Sequence, residues 1–91
     1  MISICKDNDR LVISGHAGAA PKGEDLVCAA VTILIHSLNA MIADEPIEVE
    51  LAEGKYTLSG EGSVRAQTAL EMAMCGFKLL AEHYPECVTI K

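Results

Sequence analysis

Residues 25–43, DLVCAAVTILIHSLNAMIA, are the stretch around which the rest of the chain must fold. Apolar residues recur in this stretch at spacings of four and three, as on one face of a helix: Val27, Val31, Leu34, Leu38 and Met41. Further apolar residues widen this face nearly all the way round the helix. The pattern therefore predicts a helix from about Asp25 to Ala43 that is buried on more than one side.

A strand pair is predicted on the N-terminal side of this helix. Residues 2–6 alternate apolar and polar side chains, residues 11–14 have the pattern of a second strand, and residues 7–9, Asp-Asn-Asp, are a turn signal between them. Gly15 ends the second strand. Residues 17–24 then contain two glycines and a proline, which predicts a mobile loop between the hairpin and the helix.

A second strand pair is predicted after the helix. Residues 47–51, IEVEL, alternate cleanly, and residues 55–60 pair back through a two-residue turn at Glu53-Gly54. This turn places apolar residues opposite one another on a single face of the hairpin: Leu51 with Tyr56, and Val49 with Leu58. The hairpin therefore has one face for a core and one polar face for solvent.

The remainder of the chain completes an α+β pattern. Residues 64–84 carry an apolar helical stripe that ends at Tyr84, Pro85 stops this helix, and residues 87–91 form a last strand. The element order is ββαββαβ. We expect a single domain over residues 1–91, with an antiparallel or mixed sheet and two helices packed on one face.

The composition narrows the classes of function. A net charge of -6 argues against nucleic-acid binding through phosphates, which requires clustered Lys and Arg. No run reaches the ~18 apolar residues of a membrane span, and no signal-peptide pattern opens the chain. A cytoplasmic protein with reduced thiols is expected. Because 51% of so short a chain is hydrophobic, we also expect one face to be buried against a second copy.

His16 and Cys28 are the candidate catalytic pair. Cys28 falls in the first turn of the predicted helix, where unpaired N–H groups and the helix dipole favour an anion such as a thiolate. The loop after His16 is long enough to fold back toward it. A Cys with a His in hydrogen-bond reach is the minimal nucleophile and base for acyl transfer. The residues alone leave open that Cys28 is a small core side chain and His16 a turn residue.

The other three cysteines are expected to pack within the fold. Cys5 lies on a strand, Cys75 in the middle of the second helix and Cys87 at the start of the last strand. They form no C-x-x-C pair, and no histidine stands at zinc-ligand spacing from them, so neither a metal nor a cofactor is expected. A redox or acyl-carrier role for Cys28 stays open, because the fold could bring Cys5 or Cys87 close to it.

The segment from Gly15 to Ala30 resembles the ribosomal-processing cysteine proteases of the Prp family. The pattern is G-H-A-G, a short loop and then G-x-D-x-V-C-A-A, carried by Gly15, His16, Ala17, Gly18, Gly23, Asp25, Val27, Cys28, Ala29 and Ala30. The order of elements agrees over nearly the whole length. The resemblance implies a cysteine endopeptidase that removes a short N-terminal extension from a large-subunit ribosomal protein, cutting beside paired aromatic residues. It also implies a homodimer and a mobile loop over the active site.

The resemblance implies roles for individual residues. Cys28 would be the nucleophile, attacking as thiolate, and His16 the general base, with water hydrolysing the acyl-enzyme. Asp25 would cap the helix or orient His16. Thr32, one turn after Cys28, stands where many relatives have Ser, so its hydroxyl could bond toward the site, although packing inside the helix layer is its expected duty. Glycines such as Gly18 would let the loop open and close.

The implied substrate is a basic ribosomal tail, which the negative charge of the protein would attract by steering alone. The aromatic residues of that tail require an apolar cleft, which we expect the first helix and the loop alanines to line. The alternative is a non-catalytic ribosome-assembly or adaptor protein that binds the same tail. The presence of both Cys28 and His16 favours the protease.

Overall fold

A computed structural model describes residues 1–7, 10–15, 26–45, 47–52, 54–59 and 64–91 of the chain. The elements follow the predicted ββαββαβ order. They are the strands β1 (Ile2–Asp7) and β2 (Arg10–Ser14), the helix α1 (Leu26–Met41), the strands β3 (Glu48–Ala52) and β4 (Lys55–Ser59), the helix α2 (Val64–His83) and the strand β5 (Val88–Ile90).

The five strands form one mixed sheet in the order β3-β4-β2-β1-β5. β2 pairs antiparallel with both β1 and β4, and β3 pairs antiparallel with β4, whereas β5 runs parallel to β1. Strands β4, β1 and β5 therefore point the same way, so the chain needs a crossover between β4 and β5, which α2 supplies. The predicted fold class, α+β with an antiparallel or mixed sheet, is confirmed, and the sheet is mixed.

The core lies between one face of the sheet and the two helices. Alternate residues of the three central strands point into it and are buried: Ile2, Ile4, Leu11, Ile13, Tyr56 and Leu58. The helices meet them with buried residues at helical spacing: Val27, Val31, Ile35 and Leu38 from α1, and Ala66, Ala69, Leu70, Ala73, Met74 and Phe77 from α2. Buried residues alternate along the strands and recur every three or four positions along the helices, because each element turns one apolar face toward the shared core.

The second hairpin has the predicted register. Leu51 lies opposite Tyr56 and Val49 opposite Leu58, so all four belong to the inner face. Tyr56 and Leu58 are buried there, but Val49 and Leu51 are exposed. The difference arises because β3 lies at the edge of the sheet away from α2, whereas α2 packs beside β5 at the other edge, where Val88 is buried.

The first helix is shorter than predicted. α1 ends at Met41 rather than at Ala43, and the chain turns at residues 42–44. Met41, expected on the buried face, is exposed, and Ile42 enters the core instead. Ile42 follows the buried Leu38 by four positions, so it continues the buried face of the helix, which Met41 does not.

The second helix ends one residue earlier than predicted. Tyr84, expected to close its apolar stripe, lies beyond α2 and is exposed. Its N–H still donates to the carbonyl oxygen of Leu80 at 2.7 Å. Pro85 explains the stop, because its ring disfavours helical geometry at the preceding residue and it has no N–H to continue the ladder. Neither helix in the described part of the chain has the length and hydropathy of a membrane span.

Candidate active site

An open cleft of about 190 Å³ lies between the N-terminal half of α1 and the inner face of the sheet. The helix wall carries Cys28, Val31, Thr32 and Ile35, and the strands contribute Ile2, Ile13, Leu51 and Tyr56. The end of β2 and the β3–β4 turn complete it with Gly15, Ala52, Gly54 and Lys55. Most of these side chains are apolar, so the thiol of Cys28 and the hydroxyl of Thr32 are the polar groups on the helix wall.

Cys28 is the third residue of α1 and is half-buried against the core. The helix begins with the run Leu26-Val27, of which Val27 is buried, and this anchors the first turn to the sheet. Cys28 follows on the side of the helix that faces the cleft. Its place in the first turn of α1 puts the thiol beside the positive end of the helix dipole.

Thr32 lies one helical turn after Cys28 and lines the same cleft. It is exposed, so the expectation that Thr32 packs inside the helix layer is wrong. Positions four apart lie on the same face of a helix, and the wall that presents Cys28 to the cleft therefore presents Thr32 as well. The hydroxyl is available to a group bound in the cleft.

Gly15 ends β2 beside the cleft and has a backbone φ of 93°, a conformation that favours glycine. A Cβ added at this position would collide with the backbone carbonyl oxygen of Met1. The Gly15 N–H donates to the carbonyl oxygen of Gly54 at 2.9 Å. The residue that precedes His16 is therefore held by two neighbouring segments, and no other residue type suits the position.

Three predicted site residues, His16, Gly18 and Asp25, lie outside the described residues. Of the predicted set, the structure brings together Cys28, Thr32 and Gly15 around one cleft. The loop alanines expected to line the cleft also lie outside the described residues. The first helix does line it, as expected, and the strands supply the rest of the apolar wall.

Two of the other three cysteines take positions that differ from the prediction. Cys5 and Cys75 are exposed rather than packed, whereas Cys87 is half-buried against the core as expected. None of these three is among the described residues that line the cleft with Cys28. A resolving thiol for a redox role of Cys28 is thus not found in the described part of the cleft wall.

Tyr56 is a cleft residue that sequence reasoning identified only as a core position. It is 1% exposed, and its hydroxyl donates to Oδ1 of Asn39 on α1 at 2.6 Å. The bond turns the polar end of the ring toward the helix, so the ring itself forms part of an apolar wall. The signal in the sequence was weak, because the pairing of Tyr56 with Asn39 joins residues from two distant elements.

The burial of Tyr56 predicts a loss of stability in alkali. Desolvation raises the pKa of Tyr56 to about 12, against about 10 in an unfolded chain. Between these two values of pH, the Tyr56 hydroxyl keeps its proton in the folded state but has lost it in the unfolded state. The free energy of unfolding therefore keeps its full value below pH ~10. It then declines by about 1.4 kcal/mol per pH unit up to the folded pKa.

Urea unfolding at pH 9 and pH 11 tests this prediction, with Tyr56→Phe as the comparison. The wild type should lose about 1 kcal/mol more than the variant over this interval, because only the wild type has the buried phenol. Equal losses in the two proteins would contradict the proposed linkage. Each protein serves as its own reference at pH 9, so the missing hydrogen bond to Asn39 does not enter the comparison.

The cleft joins a thiol at a helix N-terminus to an apolar surface that is open to solvent. This combination suits nucleophilic attack by sulfur on the carbonyl carbon of a bound peptide. No cluster of three or more His, Cys, Asp or Glu suited to a metal ion occurs among the residues with described positions. The described wall offers the thiol of Cys28 and the hydroxyl of Thr32 to a bound peptide.

Comparison with known proteins agrees with this chemistry. A family model described as cysteine protease Prp matches residues 1–89. The ribosomal processing cysteine protease Prp of Mycoplasma pneumoniae is 31% identical over 94 residues, which cover 100% of this chain and 94% of that protein. The protein of the same name from Mycoplasma genitalium is 32% identical over 95 residues, covering 99% of this chain and 94% of the relative.

A solved structure shares the fold. It is the ribosomal processing protease Prp of S. aureus in complex with a covalently linked product peptide. The TM-score is 0.87 at 17% sequence identity, and the match covers 99% of this chain and 95% of that chain. At this level of identity the likeness concerns the fold, whose element order and sheet are those described above.

Proposed function

This chain belongs to the Prp family of cysteine proteases, and we propose that it is an endopeptidase that removes a short N-terminal extension from a large-subunit ribosomal protein. The relatives from the two Mycoplasma species are named for ribosomal processing, and they match the chain over almost its whole length. We infer one catalytic domain over residues 1–91, acting in the cytoplasm without a metal or cofactor.

The observation that carries this proposal is the position of Cys28. Its thiol sits in the first turn of α1 and on the wall of an apolar cleft, within the same cleft as Gly15, the residue before His16. A core cysteine would be enclosed, whereas Cys28 is half-buried and reaches a surface open to solvent. A peptide in the cleft would thus meet the thiol.

The proposed reaction is acyl transfer through sulfur. His16 takes the proton of the Cys28 thiol, and the thiolate attacks the scissile carbonyl carbon to form a tetrahedral oxyanion. Collapse of this intermediate breaks the C–N bond, and His16 gives its proton to the leaving amine. Water, deprotonated by His16, then attacks the thioester and releases the new carboxylate with the thiol restored.

The proposal assigns a supporting role in this reaction to four further groups. The backbone N–H of Cys28 is the natural first donor to the oxyanion. The Thr32 hydroxyl lies on the same helix wall of the cleft as the Cys28 thiol. We assign it a hydrogen bond to the bound peptide or to His16. Asp25 is assigned to cap α1 or to orient the imidazole of His16. Gly18 is assigned to the mobility of the loop that covers the site.

The apolar cleft supports a substrate with an aromatic residue beside the scissile bond. Its volume of about 190 Å³ exceeds the ~150 Å³ of an engineered apolar cavity that admits benzene. One aromatic ring therefore fits between the helix wall at Val31 and Ile35 and the ring of Tyr56. The second aromatic residue of a pair would lie over the exposed side chains of Leu51 and Val49, which continue the apolar surface along β3.

Cleavage of a synthetic peptide that spans the aromatic junction of the ribosomal tail tests the proposal. Mass spectrometry should show a single cut beside the aromatic pair, and His16→Ala should lose it, because the thiol then lacks its base. The adaptor alternative predicts a different result: the peptide would bind, and neither the wild type nor any variant would cut it. That outcome would leave Cys28 as a structural remnant of the motif.

We also infer that the protease is a homodimer, and α1 is the face proposed for the contact. This helix has no Asp, Glu, Lys or Arg over its whole length. Its outward side nevertheless exposes three large apolar residues spaced by seven and eight positions, Leu26, Ile33 and Met41. The outward side of α2, in contrast, intersperses charged residues with its apolar ones. An uncharged, exposed helix face is typical of a subunit interface.

Light scattering during gel filtration tests the dimer. The wild type should elute with twice the mass of one chain, and Ile33→Glu should elute as a monomer because it places an unpaired charge in the contact. Leu79→Glu is the matched control, since Leu79 is a comparably exposed leucine on α2. A monomeric wild type, or a loss of the dimer in Leu79→Glu alone, would overturn the assignment to α1.

A further inference from the structure

The β3–β4 turn reaches the end of β2 through one backbone hydrogen bond. The pairing of β2 with β4 ends at Ser14 opposite Lys55. The N–H of Gly15 then donates to the carbonyl oxygen of Gly54 at 2.9 Å and extends the pairing by one residue. Gly54 has a φ of 73°, a left-handed conformation in the turn between Ala52 and Lys55. The turn geometry thus aims this carbonyl at β2.

Gly15 is also confined on its other side. The position that a Cβ would occupy is taken by the carbonyl oxygen of Met1, so β1 blocks that side of the backbone. Gly15 lies between the start of β1 and the β3–β4 turn, and its φ of 93° is set by both. The path by which the chain leaves β2 is therefore determined by non-local contacts rather than by the glycine, which has the widest conformational freedom of any residue.

We propose that Gly54 is a positioning residue for the reaction, acting through Gly15 on the general base. His16 is bonded directly to Gly15, and consecutive α-carbons are about 3.8 Å apart, so the anchored backbone of Gly15 is the point from which the general base extends. The same turn lines the cleft that Cys28 lines. One short hairpin would therefore hold the base in register with the nucleophile and form part of the wall for the peptide. This inference rests on the proposed cysteine protease function.

Two substitutions at Gly54 separate the turn conformation from the mere loss of glycine. Asn tolerates left-handed φ values, whereas Val, being β-branched, is an outlier there. Gly54→Asn should retain most of the kcat that Gly54→Val loses, because it keeps the turn. Gly54→Val should lower kcat about 100-fold with little change in KM, because a displacement of about 1 Å in a catalytic group has an effect of this size.

A second measurement reports on the base without requiring cleavage. The rate at which iodoacetamide alkylates Cys28 is followed against pH, with mass spectrometry of the peptide that contains Cys28. The wild-type profile should differ from that of His16→Ala, since the imidazole assists the thiol. Gly54→Val should shift toward the His16→Ala profile, and Gly54→Asn should retain the wild-type profile.

A variant in which an ester replaces the amide between Ser14 and Gly15 tests the same hydrogen bond if Gly54→Val fails to fold. The ester removes the N–H donor without adding an atom to the turn, and a semisynthetic chain carrying it should show the same shift in the alkylation profile. If the ester and Gly54→Val both keep the wild-type profile while His16→Ala changes it, the positioning role of Gly54 is refuted. If His16→Ala itself keeps the wild-type profile, the catalytic pair of the proposed function fails instead.

Discussion

Replacing Cys28 with alanine is expected to reduce peptide cleavage by at least about 10⁴-fold, since loss of a covalent nucleophile removes the acyl-enzyme route altogether. Alanine keeps the helix and fills most of the half-buried space, so the fold should survive. The residual rate should still exceed that of the peptide without protein, because the variant keeps the cleft and the backbone N–H at position 28. Mass spectrometry of the cleaved peptide measures the rate, and the variant should also fail to accumulate a thioester with the N-terminal fragment.

The other cysteines provide matched controls for this variant. Cys87→Ala removes a half-buried thiol at the base of β5, and Cys5→Ala removes an exposed thiol on β1. Both variants should cleave the peptide within about threefold of the wild-type rate, because neither thiol lines the described cleft. Replacing one small side chain with another outside the cleft has a minor effect on stability. Retention of a tenth of the wild-type rate in Cys28→Ala would refute the assignment of the nucleophile.

Gly15→Ala should unfold the N-terminal hairpin in part and abolish cleavage in what remains folded. The left-handed backbone costs a residue with a Cβ about 1–2 kcal/mol, and overlap with packed atoms costs about 1–3 kcal/mol more. The overlap is with the backbone carbonyl of Met1, which cannot move without shifting β1. A domain of this size should lose about 10 °C or more in Tm. Thermal unfolding followed by circular dichroism measures the shift.

Gly76→Ala is the matched control for Gly15→Ala. Gly76 lies inside α2, where the atoms nearest to an added Cβ belong to the side chain of Leu34. A side-chain end can rotate aside, and alanine favours the helix by about 1 kcal/mol over glycine. The Tm of Gly76→Ala should thus stay within about 5 °C of the wild type. An equal, small effect of both substitutions would show that Gly15 is not held as described.

The local patterns predicted the elements well. Alternation along β1 and around the second hairpin gave both strand pairs, and the Glu53-Gly54 signal led to the register in which Leu51 faces Tyr56. The apolar stripe of α1 identified its buried residues Val31 and Leu38. These successes share a cause: each depends on residues close together in the chain, for which strand and helix periodicities suffice.

The same patterns failed where burial depends on position in the sheet. Val49 and Leu51 alternate with polar residues as regularly as the residues of a core strand. They are nevertheless exposed, because β3 lies at the edge of the sheet away from α2. Cys5 and Cys75 were expected to pack and do not, since each lies on the outward side of its element. Periodicity identifies a face, but only the arrangement of elements decides whether another layer covers that face.

The sequence by itself determined the order of elements, the placement of Cys28 in the first turn of a helix and the resemblance carried by Gly15, His16 and Cys28. These features are local, and helix and strand propensities act over a few residues. The tertiary structure decided the strand order, the cleft that Cys28 shares with Thr32, and the bond from Gly15 to Gly54. These depend on contacts between residues far apart in the chain, whose free energy exists only once the sheet and helices have packed together.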